Sequence, residues 1–252
     1  MERTKKRFQK KNIATVFVIL VTVLLGLKFY ARMGGWGPSN IEVIETYRER
    51  FDPIRKNLQE IAVKLDAESP IEEVYVKTNI APRPILKQDD YEKSNVAMMA
   101  LGEFTESAEG GDLHPDYFAF NHLENFWFGN SLEWTGENNP LAHSVLRKNG
   151  ANLERKLRAA LGVKYIILGR INGKGENAEE KDRADPPHSR LIRADAFLVQ
   201  IDTQEVVARV PVEVSIEPNS GMMEFDQIGT ATLRALHLAL GDRATIEADA
   251  GL

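Results

Sequence analysis

Residues 191–216 read LIRADAFLVQIDTQEVVARVPVEVSI, and residues 161–171 ahead of them read LGVKYIILGRI. Both stretches are rich in β-branched and aromatic residues, a composition typical of buried strands. The pattern predicts strands over 163–171, 191–201 and 205–216. Three strands of this length form the centre of a sheet around which the rest of the chain is placed.

The connection between the last two strands is short, because only Asp202, Thr203 and Gln204 separate them. A connection of this length predicts a tight antiparallel hairpin. Apolar residues alternate from Val206 onwards, which indicates a strand with one buried face. Pro211 lies within this strand, and a proline there indicates an edge position or a bulge.

Helical patterns surround these strands. Residues 152–161 and 225–240 have the apolar spacing of amphipathic helices, and each is followed by a glycine that can end it. Residues 71–80 and 95–104 predict earlier strands. The predicted fold class is α+β: an amino-terminal transmembrane helix, then a mostly antiparallel sheet packed against helices.

The pattern of helix, strand and hairpin resembles the periplasmic α/β domains of curli-secretion lipoproteins, penicillin-binding-protein activators and the TolB amino-terminal domain. The resemblance covers residues 150–240, and the matching positions are Gly162, Tyr165, Gly169, Ile201, Asp202, Thr203, Glu205 and Val206. There are two departures. The hairpin glycine of those domains is Gln204 here, and the chain has no cysteine to carry a lipid tether. The resemblance implies an adaptor without catalytic activity.

The first twelve residues are strongly basic, with six cations against one glutamate: Arg3, Lys5, Lys6, Arg7, Lys10 and Lys11. Because the whole chain has a net charge of −5, the remainder carries −10. Contacts with nucleic-acid phosphates need clustered cations. An acidic remainder therefore predicts that nucleic acid is not a partner.

Residues 13–31 are almost entirely apolar and predict a transmembrane helix. Nineteen residues at ~1.5 Å each extend roughly 28 Å, close to the ~30 Å of a hydrocarbon core. The basic residues before this segment place the amino terminus in the cytoplasm by the positive-inside rule. The prediction is a single-pass inner-membrane protein that contacts the lipid bilayer through 13–31, with its ectodomain in the periplasm or outside. A cleaved signal peptide is the alternative.

These features divide the chain into five parts. Residues 1–12 are a cytoplasmic basic tail, residues 13–31 the transmembrane helix, and residues 32–39 a flexible, glycine-containing link. Residues 40–67 are membrane-proximal helices. Residues 70–252 are the α+β ectodomain.

The membrane-proximal region begins with a capping-box pattern, Ser39 followed three residues later by Glu42. Apolar residues then recur at alternating intervals of four and three up to Leu65, a pattern shared by coiled coils and amphipathic helices. Pro53 predicts that a second helix begins there. Two interpretations follow: a homodimer through residues 40–67, or a pair of helices packed on the ectodomain.

Aromatic residues are concentrated between 117 and 134, where there are seven: Tyr117, Phe118, Phe120, Phe126, Trp127, Phe128 and Trp134. Stacked rings with neighbouring carboxylates can bind glycans or peptides, which makes Tyr117, Phe120, Glu124, Trp127 and Trp134 candidate ligand-binding residues. The alternative is that most of the rings fill a local core under a long loop.

Residues for catalysis or metal binding form no standard pattern. His114, Asp116, His122 and Glu124 could meet around a metal, but their spacing matches no standard site, and neither metal nor cofactor is predicted. Paired carboxylates among Asp116, Glu124, Glu133 and Glu137 could support a hydrolase.

The sequence also lacks the short motifs that mark phosphate loops, dinucleotide sites, zinc proteases and serine hydrolases. It therefore predicts a membrane-anchored, extracytoplasmic adaptor or assembly factor that is not an enzyme and binds an envelope protein. The alternatives are a ligand- or glycan-binding sensor that uses residues 117–134, and a carboxylate-dependent hydrolase.

Overall fold

The structure of the chain is a computed structural model. It describes residues 19–26, 28, 37–87, 90, 92–105, 126–137, 139–174, 190–216 and 224–247. The basic residues Arg3, Lys5, Lys6, Arg7, Lys10 and Lys11, which set the predicted orientation, lie outside the described residues.

No helix in the described part of the chain combines the length and the apolar character needed to cross a bilayer. Of the predicted span, residues 19–26 and Lys28 are described, and they are helical. On this finding the predicted transmembrane helix is wrong. The single-pass membrane class and the inner-membrane localisation that rest on it are wrong with it.

The described fold contains helices α1 to α6, in chain order: Asn40–Asp66, Gly102–Thr105, Phe126–Trp134, His143–Leu146, Ala151–Ala160 and Glu224–Leu240. The strands β1 to β7 are Tyr75–Val76, Ile85–Lys87, Val96–Ala100, Tyr165–Lys174, Arg190–Gln200, Glu205–Ile216 and Thr245–Glu247. The long strands and their hairpin turn lie where the sequence predicts them. The predicted strand over 71–80 is reduced to the two residues of β1.

Five strands form the main sheet in the order β1-β6-β5-β4-β3. The sheet is mixed, because β3 runs parallel to β4 whereas the other neighbours are antiparallel. Strands β2 and β7 pair in parallel as a separate ribbon. The structure is thus α+β with a mixed sheet packed against helices, and it lacks the transmembrane helix of the predicted class within the described residues.

Helices cover both faces of the sheet. On face A, which includes Ile166, Leu168, Phe197 and Val199, the sheet forms one buried cluster with side chains of α1, α3 and α5. On face B, which includes Tyr165, Ile167, Ala196 and Leu198, it forms a second cluster with side chains of α6. The central strands are therefore apolar on both sides, as strands buried between two layers must be.

Helix α1 begins as the sequence predicts and continues further than predicted. The Ser39 N–H donates to Glu42 Oε2 at 2.7 Å, and the Glu42 N–H donates to Ser39 Oγ at 3.4 Å, which completes the capping box. The helix runs unbroken through Pro53 to Asp66. The prediction of a second helix starting at Pro53 is therefore wrong.

The apolar face of α1 is buried within the protein itself, and it includes Ile44, Tyr47, Phe51, Leu58, Ile61 and Leu65. Phe51 and Leu58 have no exposed surface. These are the side chains that a coiled-coil seam would present to a partner. Their burial favours the second interpretation, an amphipathic helix packed on the domain. A homodimer through residues 40–67 stays a prediction.

The hairpin turn places Gln204 in a backbone conformation that a glycine would adopt more easily. Gln204 has a φ of 56°, in the left-handed region that usually favours glycine. Its side-chain amide donates to Asn57 Oδ1 at 3.1 Å and to Glu60 Oε2 at 2.9 Å. These bonds tie the turn to α1 and offset the conformational cost of a residue with a Cβ atom.

Glycines at the ends of helices have two different roles. Gly241, after α6, has a φ of 52° and follows the last helical turn as the sequence predicts. Gly162 is needed for a close approach, since an added Cβ would lie 3.0 Å from the Ala159 carbonyl oxygen. After Gly241, Thr245–Glu247 forms β7 and pairs with β2.

Candidate functional site

Few of the sequence-predicted site residues lie among the residues that the structure describes. Tyr117, Phe120 and Glu124 lie outside the described residues, as do His114, Asp116 and His122. Trp127 lies on α3, but the position of its side chain is not described. Trp134, at the end of α3, is half-buried and packs against the face A cluster. The ligand-binding prediction for this aromatic group is therefore untested.

The end of α3 is held by an arginine of α1. Arg55 Nη1 donates to the Leu132 carbonyl at 2.9 Å and to Thr135 Oγ1 at 2.7 Å, and Nη2 donates to the Thr135 carbonyl at 3.2 Å. Thr135 is fully buried. A guanidinium satisfies the carbonyls that a helix end leaves without partners. Arg55 therefore serves to fix Trp134 and its neighbours in place.

The carboxylates of the hydrolase hypothesis are not gathered in the described part of the chain. Glu133 and Glu137 are both exposed. No group of three or more potential metal ligands occurs among the described residues. Two of the four carboxylates, Asp116 and Glu124, lie outside those residues, so the hypothesis stays a prediction.

One carboxylate has a strongly altered environment. Burial raises the pKa of Glu103, on α2, to about 7, and a backbone hydrogen bond from Ala100 opposes the shift. Glu103 follows β3 directly, at the carboxyl end of the parallel pair β3–β4. A carboxyl group that retains its proton near neutral pH is a titratable element of the fold that the sequence analysis did not identify.

A buried ion pair lies on face A between β4 and β5. Arg170 Nη2 donates to Asp195 Oδ2 at 2.6 Å, and the Asp195 side chain has no exposed surface. The Ile71 N–H donates to the other carboxylate oxygen at 3.1 Å. Arg170 also donates to carbonyls at the end of α1 and just after it: Leu65, Asp66, Glu68 and Ser69. The pair therefore anchors the chain between α1 and β1.

The most distinctive surface is the outer edge of β6. Strand β1 pairs there with Ala208 and Arg209, and the Lys77 N–H donates to the Val207 carbonyl at 2.9 Å. Beyond Arg209, β6 continues for seven residues to Ile216 while it stays paired with β5 on its other side. No strand among the described residues pairs with this outer stretch.

Antiparallel geometry determines which backbone groups face outward along this edge. Residues that bond to one neighbouring strand alternate with residues that bond to the other. Because the groups of Val207 and Arg209 face β1, those of Pro211, Glu213 and Ser215 face the same way. We define the carbonyls of Pro211, Glu213 and Ser215, with the N–H groups of Glu213 and Ser215, as the open edge. Proline has no N–H to leave unpaired there, which accounts for Pro211.

The side chains beside the open edge differ from one end to the other. Val74, which precedes β1, and Tyr75, its first residue, are 56% and 49% exposed. The two residues before them, Glu72 and Glu73, are also exposed. On β5, Arg193 Nε donates to Glu213 Oε1 at 2.9 Å in a surface pair. An exposed aromatic ring and two carboxylates thus stand at the β1 end of the edge.

One feature of this surface, the edge position of Pro211, was predicted from the sequence. Pro211 indicated an edge position, and β6 indeed has an unpaired outer stretch within the described residues. Glu72, Glu73 and Tyr75 were not identified, because the predicted strand over 71–80 would have used them in sheet pairing. Adjacent glutamates in a predicted strand, where acidic residues are depleted, were the signal that could have found them.

Comparisons with known proteins give little further guidance. No protein-family model matches the chain, and no curated protein matches it. Among solved structures, a PelC dodecamer from Paraburkholderia phytofirmans has 15% sequence identity and a TM-score of 0.25. The match covers 69% of this chain and 99% of that chain. A similarity this low carries no inference about function, and the families named from the sequence pattern remain a resemblance.

Proposed function

We propose that this chain is a non-catalytic adaptor that binds a partner protein by accepting an extended segment of it as an added strand along β6. The observation that carries this proposal is the open edge of Pro211, Glu213 and Ser215. An edge strand presents a row of backbone donors and acceptors to any extended chain, and strand addition is a common mode of peptide recognition.

The rigidity of β6 supports the same proposal. Along the edge, its inner side is paired with β5, and Val210, Val212 and Ile216 are buried in the face B cluster. A strand held in this way presents its outer groups in a fixed geometry. Binding then requires ordering of the partner segment but little ordering of the adaptor, which lowers the entropic cost of association.

The use of the buried charged groups supports a role in binding over one in catalysis. Arg170, Asp195 and Arg55 are occupied by bonds that fix the backbone between elements. Catalytic groups need to reach a substrate. The ligand-sensor and hydrolase alternatives stay predictions, since no observation among the described residues favours either.

Site-specific photocrosslinking in cells tests the proposal. A benzophenone amino acid at Ser215 should give discrete adducts, whereas the same amino acid at the exposed Glu49 of α1 should not. Glu213→Pro removes an outward N–H and should abolish the Ser215 adducts. Glu213→Ala removes the same side chain, keeps the N–H and should retain them.

Two results would contradict the proposal. Equal adducts at Ser215 in the Glu213→Pro and Glu213→Ala proteins would show that the backbone edge is not used. The absence of adducts at Ser215 in the unsubstituted background would show that no partner reaches it. Urea unfolding of both variants checks that the proline has left the domain folded.

A further inference from the structure

We propose that the segment accepted along β6 is basic where it approaches β1, with lysine or arginine beside Glu72, Glu73 and Tyr75. This inference rests on the proposed function and gives its partner a chemistry.

The two described cations beside the open edge are each paired with a carboxylate. Arg209 forms two bonds to Glu68, at 2.6 and 3.0 Å, and Arg193 on β5 forms the surface pair with Glu213 described above. At the other end of β1, away from the open edge, Lys77 Nζ lies 2.6 Å from the Glu205 carboxylate, and Arg243 Nη1 donates to the Lys77 carbonyl at 3.2 Å.

Glu72 and Glu73 are different, because neither forms an ion pair with a described residue. Beside the open edge there are thus two described cations against four carboxylates: Arg193 and Arg209 against Glu68, Glu72, Glu73 and Glu213. The local excess is two negative charges. Complementary charges across an interface steer encounter and select among partners.

The position of the two glutamates places this charge beside the open edge. Ile71 is fixed over β5 by its bond to Asp195, which pairs with Pro211 in the sheet. Tyr75 pairs with Arg209 on β6. Glu72 and Glu73 therefore lie on the path from Asp195 to the start of β1, next to the residues where an added strand would meet the end of β1.

Tyr75 provides a second reason to expect a cation. Paired residues of neighbouring strands project from the same face, so the Tyr75 ring lies on face A with Arg209. The residue is 49% exposed. An exposed tyrosine face attracts ammonium and guanidinium groups, and the aliphatic part of lysine or arginine packs on the ring. An acidic segment would gain neither contact.

Two labelled peptides test this inference by fluorescence anisotropy on the full chain. The probes are a seven-residue peptide of alternating lysine and valine and a matched peptide of glutamate and valine. The basic peptide should bind and the acidic one should not. Glu72→Gln with Glu73→Gln should weaken binding about fivefold to tenfold, the scale expected for two exposed charges.

The controls separate position from overall charge. Glu45→Gln with Glu49→Gln removes the same charge from the exposed side of α1 and should change the affinity less than twofold. Ser215→Pro should abolish binding, while Ser215→Ala should not. If the α1 variant weakens binding as much as the Glu72 and Glu73 variant, the basic-segment inference is overturned.

Other outcomes distinguish this inference from the proposed function. Equal binding of both peptides, lost with Ser215→Pro, would overturn the basic chemistry and support strand addition. Failure of both peptides with persistent, proline-sensitive crosslinks at Ser215 would do the same. Failure of both peptides together with loss of the crosslinks would overturn both proposals.

Discussion

The two ends of the β5–β6 hairpin are covered differently. At its turn end, Phe197 and Val199 are buried on face A while Ala196 and Leu198 are buried on face B. At its open end, Ile192 is buried on face B, but Leu191 is 46% exposed on face A. One strand is thus an interior strand at one end and a surface strand at the other.

This difference shows where the chain can offer groups to a partner. The turn end is enclosed by helices on both faces, so its side chains contribute to stability. The open end is covered by α6 on face B, and beyond β1 its outer strand is unpaired among the described residues. Burial at the turn end holds the strands in register, and that register presents the open edge in a fixed geometry.

The largest contrast should come from apolar truncations at the two ends. Phe51→Ala leaves a cavity in the buried cluster on face A and should lower the free energy of unfolding by about 3–5 kcal/mol. Leu191→Ala at the open end should change it by less than about 0.5 kcal/mol. Urea unfolding followed by circular dichroism measures both. Similar losses of unfolding free energy for the two variants would show that the open end of the hairpin is also enclosed.

The second contrast compares a buried ion pair with an exposed one. Asp195→Asn leaves the Arg170 guanidinium buried without its counter-charge, and the expected loss is about 3 kcal/mol. Glu213→Gln breaks the exposed pair with Arg193 and should cost less than about 1 kcal/mol. Unfolding in 1 M salt sharpens the comparison, since screening should reduce only the effect of Glu213→Gln.

A further expected effect is a pH dependence at Glu103. The pKa of Glu103 is raised to about 7 in the folded protein from 4.5, so the folded state holds a proton that the unfolded state loses in between. Stability should therefore fall as pH rises from about 4.5 to about 7, by up to about 3 kcal/mol.

Matched glutamine variants isolate this effect. Glu103→Gln cannot ionise and should remove the decline in stability with pH. Glu133→Gln, at an exposed position on α3, should leave the decline unchanged. Urea unfolding at pH 5 and pH 8 provides the measurement. A Glu103→Gln protein with the same pH dependence as the parent would rule out this carboxyl group as the cause.

Local patterns predicted the parts of the fold that local chemistry fixes. The capping box at Ser39, the three-residue turn before Glu205 and the end of α6 at Gly241 all lie where the sequence indicates. Each depends on residues within a few positions of one another.

Predictions that depended on longer-range choices were less successful. Pro53 occupies the interior of α1 because the apolar face on both sides of it packs into one core. The transmembrane prediction relied on composition over 13–31 and failed on the finding that no described helix has the length and apolar character to cross a bilayer. The candidate site was only partly predictable, since Pro211 indicated an edge but not which residues flank it.

Periodicity, caps and turn residues predict the three long strands, their hairpin and the helices around them, because these signals act through neighbours in the chain. The parallel pairing of β3, the helices on both faces and the outer edge of β6 that β1 leaves mostly unpaired among the described residues appear only in the folded domain. Those outcomes depend on contacts between residues far apart in sequence. Their free energy comes from surfaces that become adjacent only when the whole domain folds.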